Sequence, residues 1–258
     1  MLKKIKGWIV YSLIILLFVF CCTSFKSNVI VKNKSAVSIE TLLDKKYRSA
    51  STNFVYLAKE IIPSASCKLL QGSIPCTRLI HSTASGFVFS SDKDTMFVMT
   101  AAHFCKKEEI PGFSQNITGV IGELARDMFV VYYDEQSDIC MMLGTKFPEE
   151  TFLNTRLASK LPKIGESVYT VAAPNGIGGP DFRLIFEGKF GGCSEDMCMS
   201  TIPATFGSSG AGIFNKHGEL ITIVMAVTEG FENVILSPSN LQIKEFVDKV
   251  DQVVDIYP

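Results

Sequence analysis

The segment from Phe206 to Phe214 reads Phe-Gly-Ser-Ser-Gly-Ala-Gly-Ile-Phe and places Ser209 among small residues. Glycines allow tight turns and positive φ, so a ligand can approach backbone N–H groups without meeting a side chain. We expect Ser209 at the apex of a bend, with the N–H groups of Gly207 and Ser209 pointing the same way. Such an arrangement suits a nucleophilic hydroxyl beside donors that stabilise an oxyanion. Because Gly/Ser runs also form ordinary flexible turns, this interpretation requires a base and a carboxylate elsewhere in the chain.

His103 is the candidate base for this hydroxyl. It follows the apolar run Phe97 to Ala102, which ends in two alanines, so the scaffold would hold the imidazole with its ring facing a cleft. A core histidine bonded to the backbone is the alternative interpretation of such a position. The other two histidines have weaker support, because His217 lies in a polar hairpin turn and His81 ends a strand without small apolar residues before it.

Asp138 is the candidate carboxylate, because it directly precedes the apolar run Ile139 to Leu143. A buried carboxylate is costly unless it is paired, and an imidazole N–H that must be oriented is a suitable partner. Asp134 lies in a polar turn and Asp127 lies next to Arg126, so both have structural explanations as solvated or ion-paired residues. The sequence thus offers one nucleophile, one base and one orienting carboxylate.

Six cysteines lie beyond the N-terminal segment, and their even number in an exported chain favours disulfides over metal thiolates. They are Cys67, Cys76, Cys105, Cys140, Cys193 and Cys198. Cys67 and Cys76 bracket a turn-like sequence, which predicts a local bridge. Cys193 and Cys198 also bracket a turn-like sequence, so a second local bridge is expected.

Cys105 and Cys140 each lie two residues beyond a candidate site residue, His103 and Asp138 respectively. If those two residues meet, the two sulfurs fall on adjacent segments, and a bridge between them would clamp the site. The sequence does not show whether their Cβ vectors face each other. A nucleophilic Cys105 is the weaker alternative, because a group this close in sequence to its base would struggle to reach it.

The composition is that of a globular protein with one large or two ordinary domains, since 47% of the 258 residues are apolar and 20% are charged. A formal net charge of -1 gives no reason to expect nucleic acid or an anionic surface as a partner. With only three histidines and no Cys-x-x-Cys spacing, a metal site is not expected. We therefore predict a site that works without a metal or a cofactor.

Residues 1–24 differ from the rest of the chain. Three lysines among the first six residues precede an uncharged apolar run from Trp8 to Cys22. This pattern predicts a signal peptide or a retained N-terminal membrane anchor, and the length of the run leaves both open. Either way the lysines stay inside, so we expect the rest to be exported: periplasmic, secreted or membrane-anchored outside the cytoplasm. Residues 25–52 are polar and mixed, which predicts a linker.

The folded domain is predicted to span residues 53–258. Apolar residues from Phe54 to Ile62 recur three and four apart, which is typical of a short amphipathic helix, and Pro63 would end it. Beyond it, short apolar runs alternate with turns, and only Ser239 to Val250 has the periodicity of a helix. Many short strands with almost no helix between them predict an all-β fold of antiparallel barrels, and two six-stranded halves fit the count.

The chain resembles the trypsin-like (chymotrypsin-fold) serine proteases in three motifs, which occur in the order Thr100-Ala-Ala-His103, Asp138-Ile139 and Gly207-Ser-Ser-Gly-Ala211. Its second half is most similar to the bacterial HtrA/Deg-type branch, in the segments Leu161 to Gly178 and His217 to Val224. Each motif alone is weak, and the three together are specific.

This resemblance covers Phe54 to Val250 and implies two six-stranded antiparallel barrels with the site in the groove between them. His103 and Asp138 would come from the first barrel and Ser209 from the second. The implied activity is that of a serine endopeptidase with a Ser-His-Asp triad and an acyl-enzyme intermediate. The N–H groups of Gly207 and Ser209 would form its oxyanion hole.

By the same resemblance, two segments line the pocket for the substrate residue before the scissile bond. They are Ile202, Pro203 and Ala204, and Met225, Ala226 and Val227. None of the six is charged, so a basic substrate residue would find no counter-ion, and the methionine and valine limit the room. We therefore expect cleavage of polypeptides after small or medium apolar residues.

The sequence departs from the family pattern at Ser208, where Asp or Asn is usual, and at Ala211, where Gly is usual. Neither change removes a reacting group. Met225 stands where many relatives carry a small residue, which would deprive Asp138 of an outer hydrogen bond. Because no PDZ module follows Pro258, regulation by such a module is not expected.

The alternative function is a catalytically silent protein of this fold that binds extended peptides. A third option, a surface adhesin, has only composition in its favour.

Overall fold

Six strands of the first half close into an antiparallel barrel. The computed structural model describes residues 46–63, 79–109, 113–148, 150–178 and 182–256. The barrel strands are β1 (Phe54–Pro63), β2 (Leu79–Ser91), β3 (Thr95–Ala101), β4 (Phe113–Ile121), β5 (Leu124–Asp134) and β6 (Ile139–Thr145). They pair in the order β1-β2-β3-β6-β5-β4, and β4 returns to β1. Alternate side chains point inward, and Val55, Leu57, Val88 and Val98 are fully buried there.

The second half is a curled antiparallel sheet of seven strands. They are β7 (Ser167–Ala172), β8 (Leu184–Cys193), β9 (Met197–Ser200), β10 (Gly212–Asn215), β11 (Leu220–Ile223), β12 (Ala226–Thr228) and β13 (Phe231–Pro238). Their order is β11-β10-β7-β8-β9-β13-β12. The predicted all-β antiparallel fold is confirmed. Of the two six-stranded barrels that were expected, the first is closed with six strands, whereas the second is an open half-barrel of seven strands.

The two edge strands of the second sheet, β11 and β12, follow one another in the chain and are joined by Val224 and Met225. Val224 donates its N–H to Ala211 O at 2.8 Å, and its carbonyl accepts the N–H of Gly210 at 2.8 Å. Met225 donates its N–H to Leu236 O at 3.0 Å. The short link from β11 to β12 is therefore hydrogen-bonded both to the Ser209 segment and to β13.

The segment Phe54–Pro63 is a strand, so the helix predicted there is wrong. Both faces of β1 are covered, since Val55 and Leu57 point into the barrel core while Phe54 packs into the core shared with the second sheet. A strand buried on both faces carries a nearly continuous apolar run, and such a run can match helical spacing by chance. The nearest helix is α1 (Arg48–Thr52), which ends just before the strand.

The chain ends in a helix, α3 (Asn240–Ile256), which confirms the helix predicted from Ser239 to Val250 and extends it. Ser239 and Gln242 form a reciprocal cap at its start. Gln242 N–H donates to Ser239 Oγ at 3.2 Å, and Ser239 N–H donates to Gln242 Oε1 at 2.8 Å.

One apolar core joins the two β units. Phe87 of the barrel meets Phe214 of the sheet edge to face at 5.8 Å, and Phe214 stacks on Tyr169 at 5.7 Å. Helix α3 covers this core, and its Phe246 ring lies 5.5 Å from that of Tyr132 on β5. Because aromatic side chains bury large apolar areas, these contacts fix the barrel and the sheet relative to one another.

Residues 46–52, which belong to the predicted linker, pack against the second sheet. The Tyr47 ring lies 5.0 Å from that of Tyr169, whose hydroxyl donates to Lys46 O at 2.8 Å. The rest of that linker and the predicted signal or anchor segment lie outside the described residues. Within the described part of the chain, no helix has both the length and the apolar character needed to cross a bilayer.

Candidate active site

His103 and Asp138 meet at one end of the barrel because β3 and β6 are neighbours in register. Ala101 lies opposite Ile139, so the residues that leave β3 lie beside the residue that enters β6. His103 belongs to α2 (Ala102–Cys105), which follows β3 directly. His103 Nδ1 lies 2.8 Å from Asp138 Oδ2, and His103 N–H donates to Asp138 Oδ1 at 2.8 Å. Both carboxylate oxygens therefore hold the same residue.

This pairing orients the imidazole towards solvent. The side chain of His103 is 52% exposed, while that of Asp138 is only 15% exposed. When Nδ1 donates to the carboxylate, the neutral ring carries its lone pair on Nε2. The ring thus presents a base on the side away from Asp138.

The backbone of Asp138 is in the left-handed region, with φ of 54°. Non-glycine residues are uncommon there, and such strained positions often lie at functional sites. The carbonyl of Asp138 accepts the N–H of Ala102 at 3.1 Å. With the two carboxylate contacts, three hydrogen bonds from Ala102 and His103 hold this conformation.

The Ser209 segment packs against the strand that leads to His103. Ser209 is half-buried, and its carbonyl accepts the N–H of Ser85 at 2.9 Å. Gly210 has φ of 82°, and a Cβ there would collide with Thr100 Oγ1 and lie 2.7 Å from Ala101 N. Since Ala101 precedes His103 by two residues, this contact sets Ser209 beside the end of β3.

A tight turn prepares the two predicted oxyanion donors. Ser208 donates its N–H to Thr205 O at 2.9 Å, and Gly207 has φ of 87°, as the third position of a type II turn requires. The carbonyl of Phe206 accepts the N–H of Asn175 at 2.5 Å. Because C=O and N–H are antiparallel in a trans peptide, the Gly207 N–H points away from Asn175.

The N–H groups of Gly207 and Ser209 have no hydrogen-bond acceptor within the described part of the chain. Buried backbone donors are normally paired, so two unpaired donors in one turn need an explanation. An incoming oxyanion would accept from both of them.

The two segments predicted to line the substrate pocket are joined through β13. Ala204 donates its N–H to Glu232 O at 3.0 Å, and Val227 pairs with Ile235. Ile202 and Ala204 are buried, Met225 is half-buried, and Pro203, Ala226 and Val227 are exposed. The residues at the start of β13 therefore lie beside both segments of the predicted substrate pocket. The sequence did not reveal this contribution of β13.

A comparison of the sequence with models of known protein families identifies the family of this chain. A model of the trypsin-like peptidase domain matches residues 84–223, which include all three candidate residues. The chain belongs to the trypsin-like peptidase family. As a member it is a serine endopeptidase, and its substrates are polypeptides. The family predicted from the three motifs is confirmed. No curated protein gives a significant match to the full sequence.

Solved structures with a similar fold include bacterial serine proteases. An inactive serine-to-alanine mutant of Rv3671c from M. tuberculosis H37Rv is 15% identical, with a TM-score of 0.59 over 83% of this chain and 94% of its own. The serine endoprotease from Yersinia pestis is 17% identical, with a TM-score of 0.59 over 80% and 65%. The active form of the Rv3671c protease is 17% identical, with a TM-score of 0.58 over 80% and 84%. At these identities the likeness concerns the fold.

Ser85, which sequence reasoning missed, links several parts of the site in this trypsin-like peptidase. It is fully buried on β2. Its Oγ donates to Gly207 O at 2.7 Å and accepts the N–H of Ala173 at 2.9 Å. Its N–H donates to Ser209 O, and its carbonyl accepts Thr100 Oγ1 at 2.7 Å. No sequence signal marked this residue, because β2 also carries the hydroxyl groups of Ser82, Thr83, Ser90 and Ser91.

A disulfide between Cys105 and Cys140 joins the segments that carry His103 and Asp138, the bridge that was expected on condition that those two residues meet. It links the end of α2 to β6, with the two Cα atoms 6.5 Å apart. The predicted bridge between Cys193 and Cys198 is confirmed as well. The third predicted pair, Cys67 and Cys76, lies outside the described residues.

A buried lysine holds the segment that follows His103. Lys59 donates from Nζ to Lys106 O at 2.9 Å and lies 3.5 Å from Glu108 Oε1. Its ammonium lies 5.4 Å from the centre of the Phe104 ring. Burial lowers the pKa of Lys59, and the charge of Glu108 opposes that shift. These contacts fix the chain beyond α2.

The residues set aside as alternatives have structural roles. His81 Nε2 contacts Glu108 Oε2 at 2.9 Å, and this hydrogen bond holds the pKa of Glu108 below its usual value. Asp134 caps a turn by accepting from Ser137, and Asp127 accepts from Asn116. None of them contacts His103 within the described residues.

The departures from the family pattern are accommodated locally. Ser208 is buried, and its Oγ accepts the N–H of Thr205 at 3.3 Å. Ala211 is fully buried. Within the described part of the chain, the carboxylate of Asp138 accepts hydrogen bonds from His103 alone.

Proposed function

We propose that this trypsin-like peptidase cleaves peptide bonds with Ser209 as nucleophile, His103 as general base and Asp138 as the orienting carboxylate. One observation carries the proposal: both oxygens of Asp138 hold His103, directly after the strand against which the Ser209 segment packs. This combination is what an activated serine hydroxyl requires.

In the acylation step, Ser209 Oγ attacks the carbonyl carbon of the scissile bond while His103 Nε2 takes the hydroxyl proton. Asp138 stabilises the resulting imidazolium and fixes its tautomer. The N–H groups of Gly207 and Ser209 donate to the oxyanion, and each such donor typically contributes about 3 kcal/mol in the transition state. The amine then leaves with the proton from His103, and an ester on Ser209 remains.

In the deacylation step, a water molecule replaces the departed amine. His103 removes one proton as the water attacks the ester carbon, and the same two N–H groups hold the second oxyanion. Collapse of this intermediate returns the proton to Ser209 Oγ and releases the carboxylic acid. The two steps consume one water and regenerate the free enzyme.

For specificity we propose cleavage after small or medium apolar residues. Support comes from the apolar side chains of Ile202, Ala204 and Val227, on segments joined through β13. Strand β12 lies at the edge of its sheet, so an extended substrate can pair with it by main-chain hydrogen bonds. Peptides that differ only at the residue before the scissile bond test this proposal, and a preference for Lys or Arg would contradict it.

The decisive test is the Ser209→Ala variant. We expect turnover of a peptide substrate to fall by a factor on the order of 10⁶, with the fold intact by circular dichroism. A fluorophosphonate probe, which labels only an activated serine, should react with the wild type and not with this variant. Exposed Ser159, changed to alanine, is the matched control and should retain labelling. An unlabelled wild type that still binds extended peptides would favour the catalytically silent alternative.

A further inference from the structure

Two large apolar side chains lie exposed beside the predicted oxyanion hole. Phe206 immediately precedes Gly207 and is 85% exposed, the highest value for a large apolar side chain in the described residues. Ile177 is 60% exposed and follows the short 3-10 turn Pro174–Gly176. Exposed apolar side chains at the border of an active site are typical of contacts with a ligand.

The backbone under this pair is held firmly. Asn175 N–H donates to Phe206 O at 2.5 Å, and Ile177 N–H donates to Pro174 O at 2.9 Å. A Cβ at Gly207 would lie 2.5 Å from Ala173 O, so the turn that carries Phe206 rests directly on the segment before Ile177. The two exposed side chains therefore project from adjoining backbone segments that hydrogen bonds fix in place.

The pair lies on the side of Gly207 away from the proposed substrate pocket. The pocket segments bond to β13, through Ala204 and Met225. The Phe206–Gly207 peptide instead contacts residues 173–176, which connect β7 to β8. An extended substrate whose scissile carbonyl binds Gly207 N–H has its acyl part on the β13 side. Its leaving part must then continue over the 173–177 segment.

We propose that Phe206 and Ile177 form a binding site for apolar residues of the polypeptide substrate, within two positions after the scissile bond. This inference rests on the proposed function of Ser209. An apolar side chain there would bury part of its own surface and part of both exposed side chains, and removal of apolar area from water is favourable. The protease would select sequences by apolar residues on both sides of the cleaved bond.

The test compares two kinds of substrate on the full-length protein. The first kind is a pair of internally quenched peptides with either two leucines or two serines after the scissile bond. The second is an anilide with the same acyl part and no residue after the bond. For the wild type, we expect kcat/KM to be about tenfold higher with the leucine peptide than with the serine peptide.

The double variant Phe206→Ser with Ile177→Ser should lower the ratio of kcat/KM between the leucine and the serine peptide from about tenfold to about one, whatever its rate of anilide hydrolysis. Phe129→Ser is the matched control, because Phe129 is 64% exposed on β5 and should not affect either substrate. A wild type without the preference, or a double variant that retains it, overturns the inference. Equal losses on the peptides and the anilide would show instead that the two residues maintain the catalytic turn.

The anilide and the fluorophosphonate probe separate this inference from the proposed function. The wild type could hydrolyse the anilide and react with the probe, yet cleave the leucine and serine peptides with equal kcat/KM. In that case only the present inference fails. If neither reagent reacts with the wild type, the assignment of Ser209 as nucleophile fails.

Discussion

The first barrel and the second sheet contribute to the site in different ways. In the barrel, neighbouring strands bring His103 and Asp138 together, and a disulfide joins the same two segments. In the sheet, the Ser209 segment depends on contacts with the barrel, above all those of Ser85 and Thr100. The base and its carboxylate are thus assembled within one unit, whereas the nucleophile requires that both units be docked.

Removal of the clamp should have the largest effect on stability. Cys105→Ser combined with Cys140→Ser opens a bridge across 35 residues, and the chain-entropy relation gives a loss of roughly 4 kcal/mol in the free energy of unfolding. The matched control combines Cys193→Ser with Cys198→Ser, across 5 residues, and should lose roughly 2 kcal/mol. Urea unfolding in a Ser209→Ala background, which prevents self-digestion, measures both. Equal losses in the free energy of unfolding for the two double variants would contradict the prediction that the Cys105–Cys140 bridge stabilises the fold more than the Cys193–Cys198 bridge.

Loss of the Ser85 hydroxyl should impair catalysis more than folding. Ser85→Ala removes the hydrogen bonds to Gly207 O and from Ala173 N, so the turn that presents the oxyanion donors loosens. We expect kcat to fall about a hundredfold, equivalent to about 2.7 kcal/mol in the transition state. Ser90→Ala, half-buried on the same strand, is the control. If both variants kept the kcat of the wild type, the docking of the two units would not govern the nucleophile.

The smallest expected effect is on the pH dependence of stability, and it comes from Glu108 in the segment after His103. The hydrogen bond with His81 keeps the folded-state pKa of Glu108 below its usual 4.5, so the charged form stabilises the fold above that pH. This contribution is lost as the pH falls through the folded-state pKa. Glu108→Gln should therefore cost no more than about 1 kcal/mol at pH 7 and less at pH 3.

The control for this prediction is Glu109→Gln at the neighbouring exposed position. Thermal unfolding at the two pH values checks it, again in the Ser209→Ala background. A Glu108→Gln variant whose deficit grows as the pH falls would contradict the assigned sign.

Much of the candidate site followed from the sequence because local patterns marked it. His103 and Asp138 each adjoin an apolar strand, so their positions at strand ends were readable, and strand pairing then brought them together. The bridge between Cys105 and Cys140 was expected only if those two residues met, since the sequence did not show the orientation of the two Cβ atoms. Ser209 was marked by glycines, two of which have the expected positive φ.

What the sequence did not reveal depends on long-range contacts. Ser85 is separated from Gly207 by 122 positions and from Ala173 by 88, so no local pattern could show that it bonds to both. The mistaken helix at Phe54–Pro63 has a related cause, since the second covered face of β1 arises from packing with the other sheet. The hydrogen bonds that join Val224 to the Ser209 segment and Met225 to β13 are likewise between residues distant in sequence.

The positive φ of Asp138 limits which substitutions can be interpreted. Asparagine and glycine tolerate the left-handed region, whereas β-branched residues do not, and a longer carboxylate would change the distance to the imidazole. Asparagine therefore preserves the main-chain shape and one acceptor while it removes the negative charge. A defect in an Asp138→Asn protein would report on electrostatics and tautomer choice, and a defect in the valine variant would report mainly on a distorted chain.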